Sequence, residues 1–248
     1  VGRLQKIIGL QDINSKNNST GATGSDAIAA LPALGHDSAR RRGVLVMAII
    51  FGILIIDQVV KIYVKTHFYL GETHQVFSWF QIAFIQNNGM AFGWEIGSKL
   101  LLTLLRIVVV GFLVYYLSRI ISRPEAKKGY LVCMSLIIAG AFGNIIDCAF
   151  YGLVFDNPAP PAVAQLLPPD GGYGTFLHGL VVDMLYFPIV DWVWPSWMPF
   201  VGGSYFLFFS PVFNIADAAI SVGIILLILF YSSQISAVPF RKTVAEAD

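Results

Sequence analysis

The chain has 248 residues, of which 56% are hydrophobic and only 12% are charged, and its mean hydropathy is +0.69. There are 16 Lys and Arg residues against 15 Asp and Glu residues, which leaves a formal net charge of +1. A chain this apolar is not an ordinary soluble domain. We therefore expect a membrane protein, with no nucleic acid among its partners.

Residues 1–42 differ in composition from the rest of the chain. The stretch "NSKNNSTGATGSDAIAALPALG" within them is polar, rich in Gly and Ser, and without sustained periodicity, so it predicts a flexible N-terminal arm. The chain does not begin with Met, which is compatible with a vector-derived segment. Residues 1–42 are therefore left out of the fold prediction.

Four stretches after the arm are apolar over about 20 residues, the length that a helix needs to cross a hydrocarbon core of roughly 30 Å. They predict a mainly α-helical membrane domain over residues 43–231, followed by a tail at residues 232–248. The four predicted spans are Gly43 to Val64, Leu100 to Ile121, Tyr130 to Ala149, and Val212 to Tyr231.

Basic residues predict the orientation of these spans. Lys and Arg cluster before the first span, between the second and third, and after the fourth, whereas residues 149–212 contain neither. Because cytoplasmic loops carry the excess of Lys and Arg, we expect both termini in the cytoplasm and the loops at about 65–99 and 150–211 outside. Both outer loops are dense in aromatic residues, which favours contact with lipid headgroups. In the first loop, "VFSWFQIAFIQ" is typical of extended chain.

Ionisable residues within spans need an explanation, because each costs about 2.5 to 3.5 kcal/mol on insertion. Asp57 and Lys61 are one helical turn apart, so they can pair on one helix face. For this pair we favour a structural role over direct chemistry. Arg106 receives no assigned role, because a lone Arg in a span either snorkels or packs against a partner.

Three carboxylates, Asp147, Asp183 and Asp217, fall at the outer ends of spans or in an outer loop. Two carboxylates held together at a boundary of low dielectric cannot both ionise easily, so one serves as an acid and the other as a base. The alternative is helix capping, in which Asn214 is the N-cap and Asp217 an acidic residue of the first turn. The convergence of several acid- and amide-bearing segments on one membrane face favours function.

The two cysteines, Cys133 and Cys148, lie on the same predicted span. A helix separates them by about 22 Å, which is too far for a disulfide. The spacing of Cys and His also matches no metal site. We therefore expect neither a disulfide nor a metal site here.

Five short motifs follow one another in an order that one family shares. On these motifs the chain resembles the bacterial lipoprotein signal peptidases (type II signal peptidases), which are membrane aspartyl proteases. The resemblance extends over about residues 43–231. The motifs are "DQVVK" (Asp57 to Lys61), "NNGMAFG" (Asn87 to Gly93), "GNIID" (Gly143 to Asp147), "GLVVD" (Gly179 to Asp183) and "FNIAD" (Phe213 to Asp217).

The resemblance implies a catalytic pair of aspartates, Asp183 from "GLVVD" and Asp217 from "FNIAD". It implies an endopeptidase that cleaves diacylglyceryl-modified prolipoproteins just before the lipidated Cys, using a water molecule activated between the two carboxyl groups and no cofactor. The other matched positions are expected to bind substrate or to support the pair; they are Asn144, Asp147, Asn214, Asn87, Gly89, Ala91, Phe92, Asp57 and Lys61.

The resemblance also implies a location and partners. It places the protein in the bacterial inner membrane, with its active site near the periplasmic face beneath a small β-like cradle of outer-loop residues. Membrane lipid and the family's cyclic-peptide inhibitors are the other implied partners. A small proton-coupled transporter is the alternative, since it too would carry acids within spans, although the chain has no internal repeat. His178, just before "GLVVD", is interpreted as a loop residue.

Two departures from the family pattern affect the predicted site. Cys148 occupies the position at which most members have an Arg after the "GNIID" acid, so any role of that Arg is vacant or moved. An insertion before "GLVVD", associated with members from the Bacteroidetes, makes Asp156 a competing candidate by family spacing. We favour Asp183, because the two valines before it and the apolar residue after it predict a short strand or extended segment. Asp156 lies instead in the turn-like context "FDNPAPP", which suits capping.

Overall fold

The computed structural model describes residues 24–87, 99–208 and 211–237. Within these ranges, four helices are long and apolar enough to cross a membrane, which confirms the predicted number and order of the spans. The orientation of the termini relative to the membrane stays a prediction. The four helices are α1 (Gly24–His67), α2 (Lys99–Ile121), α3 (Lys128–Ile146) and α4 (Ile215–Ala237).

The first helix begins earlier than the sequence predicted. α1 starts at Gly24 rather than at Gly43, so part of the stretch predicted as a flexible arm is helical. The Ala and Leu residues of that stretch are strong helix formers, which outweighs its polar composition. Residues 1–23 lie outside the described residues.

The last helix is shifted toward the C-terminus relative to the prediction. It begins at Ile215 rather than at Val212, because Val212 and Phe213 pair with a strand instead. It continues to Ala237, past the predicted end at Tyr231. Residues 238–248, the greater part of the predicted cytoplasmic tail, lie outside the described residues.

The third helix is the centre of the bundle. α3 packs against α1, α2 and α4, and its span is the most buried of the four. Two of its glycines permit the close approach: a Cβ on Gly140 would lie 2.1 Å from the Ala216 carbonyl oxygen, and one on Gly143 would lie 2.8 Å from Asp57 Oδ2. Small residues let helix backbones approach closely in membranes, and here they bring polar residues of three helices together.

The other three spans expose apolar side chains to their surroundings. Phe51 of α1, Val108 of α2 and Leu229 of α4 are each more than half exposed. Side chains of this kind are suited to lipid rather than to water. The exposed faces therefore agree with a bundle that is surrounded by membrane.

At its C-terminal end α3 continues into a single π-helical turn, Asp147–Tyr151, and a short helical turn, Gly152–Val154. π-helical turns within α-helices occur frequently at functional sites. Asp147, the first residue of this turn, is fully buried. Its Oδ2 accepts the backbone N–H of Val182 at 3.3 Å, so the turn connects α3 to the strand that carries Asp183.

Residues between the spans form two small antiparallel sheets. The larger has the strand order β1-β2-β3-β6, and the smaller pairs β4 with β5. The prediction of extended chain for "VFSWFQIAFIQ" and the strand expected at "GLVVD" are both confirmed. The strands are β1 (Thr73–Phe77), β2 (Phe80–Asn87), β3 (Val181–Tyr186), β4 (Val190–Val193), β5 (Tyr205–Phe208) and β6 (Val212–Phe213).

The larger sheet lies at the end of the bundle where α1 ends and α4 begins. β3 contacts α1, and β6 leads directly into α4. The pairing of β2 with β3 is irregular between Ile82 and Ile85, and Ile85 lies opposite Asp183. Such irregularities re-aim side chains and often occur beside active sites.

Candidate active site

Asp183 lies within β3 and is only 1% exposed. Its carboxyl group receives two amide donors: Asn214 Nδ2 donates to Oδ1 at 2.6 Å, and Asn87 Nδ2 donates to Oδ2. The sheet brings Asn87 there, since Asn87 at the end of β2 pairs with Val181 of β3. Among the described residues no ammonium or guanidinium forms an ion pair with Asp183, so neutral amides hold it.

The surroundings of Asp183 favour its protonated form. Burial, followed by the nearby carboxylate of Asp217, raises the pKa of Asp183 from an ordinary 3.8 to about 7. The amide donors of Asn214 and Asn87 oppose this increase, because they stabilise the ionised carboxylate. Asp183 is therefore an acid that retains its proton close to neutral pH.

Asp217 lies in the first turn of α4, and Asn214 caps that helix. Asn214 Oδ1 accepts the Asp217 N–H at 2.8 Å, while Asp217 Oδ2 accepts the Asn214 N–H at 3.4 Å. This reciprocal pattern is that of a capping box. The capping alternative therefore describes the local structure, but it does not exclude function, because Nδ2 of the same Asn214 reaches Asp183. The Asn214 side chain thus contacts the Asp183 carboxyl group and the Asp217 backbone N–H.

Asn144 of α3 connects Asp217 to a buried lysine. Its Nδ2 donates to Asp217 Oδ1 at 2.8 Å, and its Oδ1 accepts Lys61 Nζ at 2.9 Å and Asn214 Nδ2 at 3.2 Å. Because an ammonium only donates and a carboxylate only accepts, these partners determine which end of the amide is oxygen. Asn144 thereby fixes Asp217 from the side of the bundle.

The Lys61 ammonium is fully buried and uses all three of its donors. It contacts Asp57 Oδ2 at 2.9 Å, Asp147 Oδ2 at 2.8 Å and the Asn144 oxygen. The predicted pairing of Asp57 with Lys61 is thus confirmed, with Asp147 as a second carboxylate. Asp57 Oδ1 also accepts the Ala216 N–H of α4 at 2.9 Å. We call Asp57, Lys61, Asn144 and Asp147 the ion-paired cluster.

Gln58 and Tyr151 complete this cluster, and the sequence analysis singled out neither. Gln58 Nε2 donates to Asp147 Oδ1 at 2.9 Å and to Asp57 Oδ2 at 3.2 Å, and its Oε1 accepts the Tyr151 hydroxyl at 3.1 Å. The signal in the sequence was an amide beside Asp57 in an otherwise apolar span, since amides in membrane helices find polar partners on neighbouring helices.

Three of the remaining predicted site residues, Gly89, Ala91 and Phe92, lie outside the described residues. Asp156 and His178, the other two residues weighed in the sequence, belong to the inserted loop. Asp156, the competing candidate for the catalytic pair, accepts the Gln165 N–H on Oδ1 at 2.6 Å and so holds the backbone of the inserted loop. His178 is exposed, and its Nδ1 lies 3.0 Å from Thr175 Oγ1, as suits a loop residue.

Arg106 of α2 contacts Cys148, the residue that stands where most family members have an Arg. Its Nη1 lies 3.9 Å from Cys148 Sγ. The sequence could not indicate this, because α2 and the π-helical turn are far apart in the chain. Cys133 and Cys148 are both free and buried, which confirms that no disulfide joins them.

Fold and site together define a class of protein. Apolar helices carry a buried network of carboxylates, amides and one ammonium, and the network ends at two aspartates, one on a strand and one at a helix N-terminus. Ionisable groups within a membrane domain mark functional sites, and paired carboxyl groups in unlike surroundings divide into an acid and a base. The protein is therefore a multi-pass membrane protein with a buried polar network at one end of its bundle.

The chain belongs to the signal peptidase II family, whose sequence model matches residues 49–232. A lipoprotein signal peptidase of Porphyromonas gingivalis is 51% identical over 206 residues, covering 83% of this chain and 91% of the relative. One from Amoebophilus asiaticus is 35% identical, covering 71% and 72%. A solved structure described as a bacterial membrane enzyme shares the fold, with a TM-score of 0.52, 24% identity and coverage of 82% and 94%. The protein is a peptidase, which sets aside the transporter alternative.

Proposed function

We propose that this peptidase removes the signal peptide from diacylglyceryl-modified prolipoproteins with a water molecule activated between Asp183 and Asp217. The relatives reported above carry the name lipoprotein signal peptidase, which supports prolipoproteins as the substrate class. The observation that carries the catalytic assignment is the position of Asn214, which donates to both carboxyl groups: its Nδ2 to Asp183 Oδ1 and its backbone N–H to Asp217 Oδ2. This contact supports a working pair rather than two separate caps.

The two carboxyl groups have different roles in this mechanism. Asp183 is the more buried and holds a proton, because burial and Asp217 raise its pKa to about 7. Asp217 accepts hydrogen bonds from Asn144 Nδ2 and from the Asn214 backbone N–H, which hold its carboxyl group in place. Because Asp183 holds the proton, Asp217 takes a proton from the water, the resulting hydroxide attacks the scissile carbonyl carbon, and Asp183 protonates the carbonyl oxygen. The tetrahedral intermediate then collapses: the C–N bond breaks as Asp217 gives its proton to the leaving nitrogen, and Asp183 takes a proton back from one hydroxyl group as the carbonyl re-forms. No covalent enzyme intermediate forms.

The ion-paired cluster supports the pair without touching the substrate. Lys61 holds the oxygen of Asn144, and Asn144 holds Asp217. Asp147 binds Lys61 and also the backbone of Val182, next to Asp183. Catalytic groups need supporting hydrogen bonds that keep them within about 0.5 Å of their productive positions. The cluster provides this support from both sides of the pair.

The location of the pair suits a substrate that is itself in the membrane. Asp217 opens a membrane-capable helix, and Asp183 lies on the sheet that covers the same end of the bundle. The acyl chains of the lipidated Cys can thus stay in the bilayer while the scissile bond reaches the carboxyl groups. We place this end at the periplasmic face of the inner membrane, where lipid and the cyclic-peptide inhibitors of the family would also bind.

The test is cleavage of a diacylglyceryl-modified prolipoprotein by the purified protein in detergent. Asp217→Asn and Asp183→Asn should each reduce the rate by about 10²- to 10⁴-fold, the usual contribution of a general acid or base. Asp156→Asn should remain active, since Asn keeps an acceptor for the Gln165 N–H. Asp170→Asn, an exposed carboxylate of the inserted loop, is the matched control, and thermal unfolding verifies that each variant is folded.

Two results would contradict the proposal. If Asp156→Asn were inactive and Asp183→Asn active, Asp156 would be the catalytic partner of Asp217 and the insertion would follow the catalytic segment. If the unmodified protein failed to cleave several lipidated substrates but cleaved other membrane peptides, the substrate class would be wrong.

A further inference from the structure

Lys65 is a second fully buried lysine on α1, one helical turn after Lys61. Unlike Lys61, it has no carboxylate at contact distance, and its Nζ makes no hydrogen bond among the described residues. An ammonium removed from water in this way is costly unless something else stabilises its charge. Asp156 and Asp147 act on this charge only from beyond contact distance, so the position of Lys65 calls for a further explanation.

Three aromatic rings surround the Lys65 ammonium. Nζ lies 5.2 Å from the ring centre of Tyr173, 5.3 Å from that of Phe155 and 5.8 Å from that of Phe84. All three distances are within the range of a cation–π interaction, which strengthens when the cation is desolvated. We call Lys65 and these three rings the aromatic cage.

The three rings come from separate parts of the chain. Phe84 lies on β2, Phe155 directly follows the short helical turn after α3, and Tyr173 belongs to the inserted loop. Backbone hydrogen bonds reinforce the assembly, since the Tyr173 N–H donates to the Phe155 carbonyl at 2.9 Å. The cage therefore joins α1, the sheet and the inserted loop at one point.

Tyr173 extends this connection to the strand that carries Asp183. Its hydroxyl oxygen accepts the backbone N–H of Leu180 at 2.6 Å. Leu180 immediately precedes β3, and Asp183 follows within the same strand. The side chains of Val182 and Met184, on either side of Asp183, pack in the same buried cluster as Phe84 and Phe155. A displacement of the cage would therefore move β3.

We propose that Lys65 is a positioning residue of the peptidase. Its ammonium, enclosed by Phe84, Phe155 and Tyr173, holds the inserted loop against α1 and so sets the position of β3 and of the Asp183 carboxyl group. The inserted loop is then part of the catalytic support rather than an appendage. This inference depends on the proposed role of Asp183 in catalysis.

The test compares Lys65→Met, which keeps the length and apolar character of the side chain but removes the charge, with Lys65→Arg, which keeps the charge and stacks on aromatic rings. A misplacement of about 1 Å can reduce a rate about 100-fold, so we expect Lys65→Met to reduce kcat by about ten- to 100-fold with little change in KM. Lys65→Arg should restore most of the rate. Lys128→Met, the same change at an exposed lysine, is the control.

A second variant tests the connection through Tyr173 alone. Tyr173→Phe keeps the ring of the cage and removes only the acceptor for the Leu180 N–H. We expect it to reduce kcat less than Lys65→Met does. In both variants the pH at which cleavage declines on the alkaline side should move, because the burial of Asp183 changes. A role limited to stability would leave the pH profile and kcat per folded molecule unchanged.

The outcomes separate this inference from the catalytic assignment. If Asp183→Asn is inactive while folded Lys65→Met and Tyr173→Phe match the unmodified protein in kcat and pH profile, Lys65 has no positioning role and the catalytic pair stands. If Asp183→Asn remains active, the catalytic assignment itself is wrong. If Lys65→Met does not fold, an unaltered pH profile and kcat for Tyr173→Phe alone overturns the inference.

Discussion

The ion-paired cluster and the aromatic cage lie one helical turn apart on α1 and accommodate a buried lysine in opposite ways. Lys61 donates to two carboxylates and an amide oxygen at 2.8 to 2.9 Å. Within the described part of the chain Lys65 has no such acceptor, and it lies instead among three rings at 5.2 to 5.8 Å. The first region is a hydrogen-bonded network between helices, whereas the second is a contact between a helix and loop segments.

The difference follows from what each region connects. Within the bundle, three helices approach closely enough for short, directional contacts, and glycines on α3 make room for them. Beyond the bundle, the sheet and inserted loop offer aromatic faces, which attract a cation without requiring an exact acceptor position. A directional network suits the side chains of the proposed catalytic pair, and a less directional contact suits the attachment of a loop.

The largest effect should come from breaking the ion-paired cluster. Lys61→Met leaves Asp57 and Asp147 buried without their cation, and removal of one partner of a buried ion pair costs about 3 to 5 kcal/mol. In a chain of this size that corresponds to a decrease in Tm on the order of 10 °C. A thiol-reactive dye measures unfolding, because Cys133 and Cys148 are both buried. A decrease no larger than that of exposed Lys127→Met would contradict the comparison.

Breaking the aromatic cage should destabilise the protein less. Lys65→Met removes a desolvated cation–π contact, for which about 2 kcal/mol is typical, but it leaves no carboxylate without a direct partner. We therefore expect a decrease in Tm of about half that of Lys61→Met or smaller, in the same thermal assay. If Lys65→Met were the more damaging of the two, the cage rather than the ion-paired cluster would be the main link at this end of the bundle.

Asp183 extends the comparison of the two buried lysines to a buried carboxyl group. It has amide donors but no ion-pair partner among the described residues. Its pKa is raised from 3.8 to about 7, so the folded protein binds a proton there more tightly than the unfolded chain. The resulting stability is fully present below about pH 4 and is lost as pH rises through about 7. Thermal unfolding in this window should lose part of its pH dependence in Asp183→Asn.

The same pKa predicts the pH dependence of cleavage. Since the mechanism needs Asp183 protonated, the rate should fall about tenfold for each pH unit above about 7. Initial cleavage rates of the lipidated substrate between pH 6 and pH 9 would measure this, buffers being matched in ionic strength. A rate that stays constant to pH 9 would show that Asp183 does not supply the proton.

The smallest effect should come from crowding the ion-paired cluster. A Cβ on Gly143 would lie 2.8 Å from Asp57 Oδ2, so Gly143→Ala must displace a carboxylate that holds Lys61. We expect a cost of about 1 kcal/mol, at the lower end for overpacking, or a decrease in Tm of about 2 to 4 °C. Gly111→Ala on α2, where a Cβ meets nothing within 4 Å, is the matched control. Equal Tm values for the two variants would contradict tight packing at Gly143.

Much of the fold could be predicted from sequence because the relevant signals are local. A helix that crosses a membrane is apolar over consecutive residues, so the four spans were visible as stretches of composition. The pairing of Asp57 with Lys61 follows from helical spacing, and the strand around Asp183 from its valines. The five motifs indicated the family, and with it the candidate pair of Asp183 and Asp217.

Boundaries that depend on distant partners were predicted less well. Val212 and Phe213 are apolar enough to extend the last span, yet they pair with β3 and form a strand. The start of α1 at Gly24 was missed because a polar, Gly-containing stretch gave no apolar periodicity. In both cases composition indicated what the segment prefers locally, whereas backbone hydrogen bonds decided whether it became a strand or a helix.

Contacts between remote segments required the tertiary structure. Nothing local distinguishes Lys65 from a lysine at a helix end, because the rings that enclose it come from β2, the end of the third span and the inserted loop. Asn214 looked like a helix cap, and only the pairing of β3 with β6, directly before α4, shows that its side chain also reaches Asp183. Hydropathy is a property of neighbouring residues, whereas a buried charge is stabilised by whichever groups the folded chain brings to it.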